Sequence, residues 1–259
     1  MTSVLKRRGV AAALFAAALL LGWQAAAGLG ALPAYILSPQ EILAALWDTV
    51  RDGVLLPAAG TSLQRSAAGF VLGTFLGVLF GLLAGVSRIA EDIDDTLVSL
   101  TYPLPKIALF PIVVIWLGYT DSARVLVIAI SCFYPAFVNS LAGTQNIDTR
   151  LLWVARNAGA SRVRAFRQVV LRAAMPSVVT GVRLSLALSF ILTFATETLG
   201  AGRGGLGQII DDGFTNLLYP LMWAGIAAFA ILGFAADRAL LGVSDRLLRG
   251  QRVEAASRG

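Results

Sequence analysis

The sequence predicts an all-α, polytopic membrane protein with six transmembrane helices. Three observations carry that prediction. Hydrophobic residues make up 57% of the 259-residue chain and charged residues only 14%, a balance that cannot supply the polar surface of a soluble domain of this length. Mean hydropathy is +0.76. The apolar residues are gathered into runs near the roughly 20 residues that cross a bilayer, with arginine clusters between them.

The first run, about residues 9–27, follows Lys6, Arg7 and Arg8. It competes with a secretory leader, which has a charged start, an apolar stretch and small residues such as Ala25, Ala26 and Ala27. The run is long for a leader and everything after it is membrane-embedded, so it reads as a retained first helix. Residues 33–61 are polar enough for a loop, within which 41–51 fits a short amphipathic helix lying at the interface. Five further spans are expected at about 63–86, 97–117, 123–143, 176–198 and 221–242.

Six spans put both termini on one side. The basic residues of the N-terminus, of the 144–175 loop (Arg150, Arg156, Arg162, Arg164, Arg167, Arg172) and of the tail (Arg246, Arg249, Arg252, Arg258) then share that side, the cytoplasm. The opposite loops hold only Arg51, Arg124 and Arg203. The 87–96 loop dissents with Glu91, Asp92, Asp94 and Asp95 beside Arg88, but acids count little in this rule.

The second span places Gly69, Gly73, Gly77, Gly81 and Gly85 four residues apart. Such a stripe forms a smooth helix face against which a neighbouring helix can pack closely. The third span carries Pro103, Pro105 and Pro111, which break the helical ladder and suit either a pore-lining hinge or a kinked helix start. Lys106 lies close enough to the cytoplasmic boundary to snorkel.

Between spans four and five the chain is too polar to cross the membrane. Asp148 is placed to cap a helix running to about Ala158, Gly159 to terminate it, Ser161 to cap a second short helix, and Pro176 to sit in the first turn of span five. The face Trp153, Arg156, Asn157, Ala160 follows helical spacing and could offer an aromatic anchor to a partner protein. The same arginines would also hold an amphipathic pair on an anionic membrane surface.

These residues carry a resemblance. Ala155-Arg-Asn-Ala-Gly159-Ala-Ser161, Phe166-Arg-Gln-Val-Val-Leu171 and Met175-Pro176 resemble the cytoplasmic loop of binding-protein-dependent ABC importer permeases. Tyr102-Pro-Leu-Pro-Lys-Ile-Ala-Leu-Phe-Pro111 through Gly118, and Glu197-Thr-Leu-Gly-Ala-Gly-Arg-Gly-Gly-Leu-Gly207, resemble the nitrate/sulfonate/taurine branch, which includes permeases for pyrimidine precursors and aromatic acids. The likeness runs from about residue 61 to 245. It implies a type I importer permease fold, with residues 1–60 as an N-terminal helix and external loop, 61–245 as the permease domain, and 246–259 as a cytoplasmic tail.

The resemblance further implies that Trp153, Ala155, Arg156, Asn157, Ala158, Gly159 and Ala160 couple the chain to an ATPase subunit. The expected partners are an ATPase dimer, a periplasmic or lipid-anchored solute-binding protein and a second permease copy, in the inner membrane of a bacterium. The expected solute is small and anionic or polar. Two departures stand out: Trp153 occupies the place where the family usually has an acid, and Arg172 the place where a proline is common. The latter lets the second loop helix run straighter into span five.

Other function classes fail on composition. The chain has no histidine and one cysteine, Cys132, in an apolar run, so no metal site is expected. The net charge of +6 does not come from basic residues interleaved with aromatics, so nucleic-acid binding is not expected. Gly200 to Gly205 satisfy a glycine-rich dinucleotide pattern but follow a membrane helix rather than a strand. With lysine only at positions 6 and 106 and no phosphate-binding loop, ATP and magnesium would be bound by a partner and the chain is not itself an enzyme.

Arg183 and Glu197 are the charges read as embedded, Arg183 near the inner interface. Glu197, with Thr193, Thr196 and Pro105, is expected to line the pathway. A secondary transporter or channel is the competing class. It would show ionisable pairs near the bilayer midplane, and none is evident by spacing alone.

Overall fold

The computed structural model describes residues 2–86, 105–199 and 204–256. The acidic 87–96 loop, Tyr102 to Leu104, Gly200 to Arg203 and the last three residues lie outside them. Among the described residues every regular element is helical. The helices are α1 (Thr2–Gly28), α2 (Pro39–Arg51), α3 (Leu55–Gly85), a 3₁₀ turn (Lys106–Leu109), α4 (Phe110–Leu117), α5 (Asp121–Gln145), α6 (Thr149–Asn157) and α7 (Arg162–Ala165). A π-helical turn (Phe166–Val170), α8 (Leu171–Thr198), α9 (Leu206–Thr215) and α10 (Tyr219–Ala256) follow.

Four helical segments among these residues are long and apolar enough to cross a membrane: Leu55–Gly85, Asp121–Gln145, Arg162–Thr198 and Tyr219–Arg246. Two shorter apolar helices, Ala13–Gly28 and Lys106–Leu117, stand where the sequence puts spans one and three. The second span begins at Leu55 rather than near residue 63. Pro57 permits this because the first turn of a helix has no acceptor waiting for its N–H.

Residue contacts divide the chain into two units, 1–60 with 204–230, and 61–203 with 231–259. In the first, α2 opens on a capping box. The Ser38 hydroxyl accepts from the Glu41 amide, and the Glu41 carboxylate accepts from the Ser38 amide at 2.7 Å. Leu43 and Trp47 of α2 are exposed, and the Arg51 guanidinium lies 5.5 Å from the centre of the Trp47 ring. Trp223 donates its ring N–H to the Tyr35 carbonyl at 2.9 Å and tilts against Trp23.

The second unit is built on α3, α5 and α8. A Cβ placed on Gly69 would strike the Ile128 side chain, and on Gly73 and Gly77 the carbonyls of Ala129 and Phe133. On Gly81 it would lie 2.5 Å from the Phe137 oxygen and on Gly85 2.6 Å from Thr144 Cβ. The residue numbers rise together along this contact, so α3 and α5 run parallel. Parallel spans need a return crossing between them, and the apolar Lys106–Leu117 segment stands there.

The α5–α8 contact runs the other way, with Gly143 against Ser177, Gly181 against Pro135 and Asn139, and Cys132 against Ser185. Small residues again let the backbones meet, where dispersion and side-chain hydrogen bonds replace the hydrophobic drive that lipid removes. The Ser185 hydroxyl donates to the Cys132 carbonyl at 2.7 Å. One apolar cluster joins Phe110, Val113, Val127, Ile128 and Leu192, and another Leu82, Ala174 and Val178. The 146–170 connection therefore lies at one end of the three spans, and Arg65, Asp121 and Glu197 at the other.

Candidate functional site

The loop that joins α5 to α8 follows its sequence signals closely. Asp148 caps α6, its carboxylate accepting from the Arg150 amide at 2.9 Å. At the other end Gly159 has φ +75°, a left-handed conformation that a side chain would strain. Its amide donates to the Arg156 carbonyl and the Ala160 amide to the Ala155 carbonyl, the paired bonds of a Schellman motif. Ser161 then caps α7 through the Arg164 amide at 3.3 Å.

Past α7 the helix runs on into span five, as Arg172 leads one to expect, and it does not stop and restart at Pro176. It passes through the π turn, where the Leu171 amide reaches back to the Phe166 carbonyl, and continues as α8 with Pro176 inside it. With Arg172 in place of a proline, the chain keeps the N–H that a continuous helix needs.

The loop presents an apolar patch to its surroundings: Leu151, Trp153, Val154 and Val163 are all exposed, Trp153 at 69%. Arg156, Asn157, Ala158 and Gly159 are exposed as well, while Ala155 and Ala160 are half-buried. Basic side chains at Arg150, Arg156, Arg162 and Arg164 accompany the patch, and all of them are exposed. An apolar centre among cations is a surface for a partner with an apolar pocket and an acidic rim.

At the opposite end of the spans lies a buried charge cluster. The Arg65 guanidinium bonds Glu197 at 2.9 Å through Nη1 and Asp121 at 2.9 Å through Nε. The Ser62 hydroxyl contacts both Glu197 oxygens, at 3.0 and 2.8 Å. Arg65 and Glu197 are buried, whereas the Asp121 side chain is 64% exposed. Glu197 is thus held by a cation from another helix. Thr193 and Thr196 are also fully buried, their hydroxyls donating to the Ser189 and Leu192 carbonyls. Of the residues proposed from sequence for the pathway, Pro105 is exposed.

Two basic residues stand elsewhere than the sequence suggests. Arg124, assigned to an external loop, lies in the first turns of α5 with 1% of its side chain exposed, and its Nη1 is 3.6 Å from Asp121. Arg183, expected to snorkel to the inner interface, lies between Gly181 and Ser185, which pack on Pro135 and Cys132 near the middle of the 25-residue α5. Its Nη2 is 3.3 Å from Asp237 of α10. An ionisable pair level with the middle of α5 does exist, and it joins residues 54 positions apart. A secondary transporter would show such a pair too, so the pair does not separate the classes.

Comparison with known proteins does. Residues 69–249 match the family described as binding-protein-dependent transport system inner membrane component. The chain belongs to that family. Among the relatives of this inner membrane component, SsuC of Bacillus subtilis, named for transport of aliphatic sulfonates, is 30% identical over 88% of the chain and 82% of its own length. The taurine transport system permease protein TauC of Escherichia coli is 29% identical over 83% of the chain and 80% of its own length. The riboflavin transport system permease protein RibX of Chloroflexus aurantiacus is 29% identical over 89% and 85%.

A chain of the MetNI methionine ABC transporter in an inward-facing conformation superposes with a TM-score of 0.60, covering 77% of this component and 97% of that chain at 21% identity. That likeness concerns fold. The expected sulfonate/taurine branch agrees with the SsuC and TauC relatives, and the membership makes the chain a transport permease with transmembrane helices.

Proposed function

We propose that the chain forms the translocation pathway of an ATP-driven importer for a small anionic or polar organic solute of the sulfonate or taurine type. Two copies would pair around the path in the bacterial inner membrane, with both termini and the 144–175 loop in the cytoplasm. Each loop would seat on one ATPase subunit, which binds ATP and magnesium. A periplasmic or lipid-anchored solute-binding protein would deliver solute on the opposite face.

The observation that carries this reading is the capped α6–Gly159–α7 unit, which exposes Leu151, Trp153, Val154 and Val163 on a rigid mount. Exposed aromatic area at 69% is costly in water and serves a partner surface. Closure of an ATPase dimer would draw the two loops together and favour one access state over the other. The chain's own task is differential stability of those states, with no covalent step.

Co-purification tests the reading. The ATPase expressed from the same cluster of genes should come down with the tagged chain and be lost on Gly159→Pro or deletion of the 144–175 loop. Solute uptake that persists with every nucleotide-binding partner removed would overturn it.

A further inference from the structure

Arg183 and Asp237 form an ion pair in which both side chains stay open, at 47% and 41% exposure. It lies on spans α8 and α10, at the level of the middle of α5. Charged groups at that depth face a bundle interior or water, because lipid solvates neither. This pair does not face the interior of its own chain. Asp237 is also too short to reach a membrane surface from the level of Pro135 and Cys132.

Thr180, Arg183 and Ala187 follow one another on a single exposed stripe of α8 that also carries Leu184 and Ile191, while the opposite stripe of Gly181, Ser185 and Ser189 is buried. We infer that this stripe of α8 borders a water-filled path, and that Arg183, shared with Asp237, is a mid-membrane docking point for an anionic head group. A carboxylate or sulfonate would replace Asp237 on the guanidinium, whose planar fork accepts either. The inference rests on the importer reading only for the sign of the solute's charge.

The test uses thiol labelling of the full chain in membranes opened to both sides, in a Cys132→Ser background that leaves no other cysteine. Thr180→Cys and Ala187→Cys keep both charges. They should react with an anionic methanethiosulfonate about tenfold faster than Phe75→Cys, an exposed apolar site on α3. Adding Asp237→Asn should raise the preference for the anionic over a cationic reagent several-fold, and adding Arg183→Gln should reverse it.

Labelling at Thr180→Cys and Ala187→Cys no faster than at Phe75→Cys would overturn the path. Labelling indifferent to the charges at 183 and 237 would overturn the docking point. None of these readouts depends on an ATPase, so they fail or succeed separately from the importer reading.

Discussion

Arg65 and Glu197, 132 residues apart in sequence, hold each other at 2.9 Å with both side chains buried. Each charge is tolerable only because the other is there. The Ser62 hydroxyl fills further lone pairs of the carboxylate, and Asp121 takes the far side of the guanidinium. The cluster ties α3, α5 and α8 together at the end away from the 146–170 connection.

Breaking this pair from one side should therefore cost more than removing both members. Arg65→Met or Glu197→Gln alone should lower stability by about 3–5 kcal/mol, because an unpaired charge or an unfilled donor remains. The double substitution should recover part of that loss. Thermal unfolding of the detergent-purified chain, followed by size-exclusion chromatography, gives the comparison. Additive losses would show that the two residues act independently.

The glycine stripe makes a steric prediction. Alanine at Gly73 would set a Cβ on the Ala129 carbonyl, backbone that cannot rotate away, so α3 and α5 must separate. Overpacking of this kind costs about 1–3 kcal/mol. Gly60→Ala, on the same helix with nothing within 4 Å of the new Cβ, should be neutral or slightly stabilising. Equal thermal stability of the two variants would contradict the close approach.

Trp153 should dominate the exposed loop energetically without affecting the fold. Trp153→Ala removes a large apolar surface that touches little of its own chain, and should leave the melting temperature unchanged. It should weaken capture of the ATPase at least tenfold, corresponding to roughly 1.4 kcal/mol or more at an aromatic anchor. Trp153→Glu places at this position the acid that the resemblance leads one to expect. It should fail to rescue binding if the partner offers an apolar pocket, and rescue it if the partner offers a cation.

A pH dependence follows from the capping box of α2. The Ser38 amide bonded to the Glu41 carboxylate, helped by the Ser38 side chain, holds that carboxyl below its ordinary range. Its contribution is therefore present above the unfolded value of 4.5 and lost as pH falls through the lower folded value. Protection of the amides of residues 39–45, taken relative to the intrinsic exchange rate at each pH, should fall on acidification through that range. In Glu41→Gln that fall should disappear.

Much of this was legible in the chain, and the reason is locality. Asp148, Gly159 and Ser161 act on backbone groups two to five residues away, so their chemistry fixes the loop wherever it stands. The same holds for the four-residue spacing of the glycines, which announces a close face without naming the helix that meets it. Pro176 suggests a boundary because proline favours a helix start, while the continuity of α7 through α8 depends on the residues before it.

Sequence alone determined that the chain crosses a bilayer several times, that a capped polar hairpin of helices interrupts it, and that one span carries a face made for close packing. Only the tertiary structure decided which charges lie inside. Arg65 stands in an apolar run with nothing nearby in sequence to answer its charge. Its burial depends on a partner from a distant span, Glu197, and Arg183 meets Asp237 of another helix while both side chains stay exposed. No periodicity within one helix encodes that meeting, because it exists only once the helices have packed.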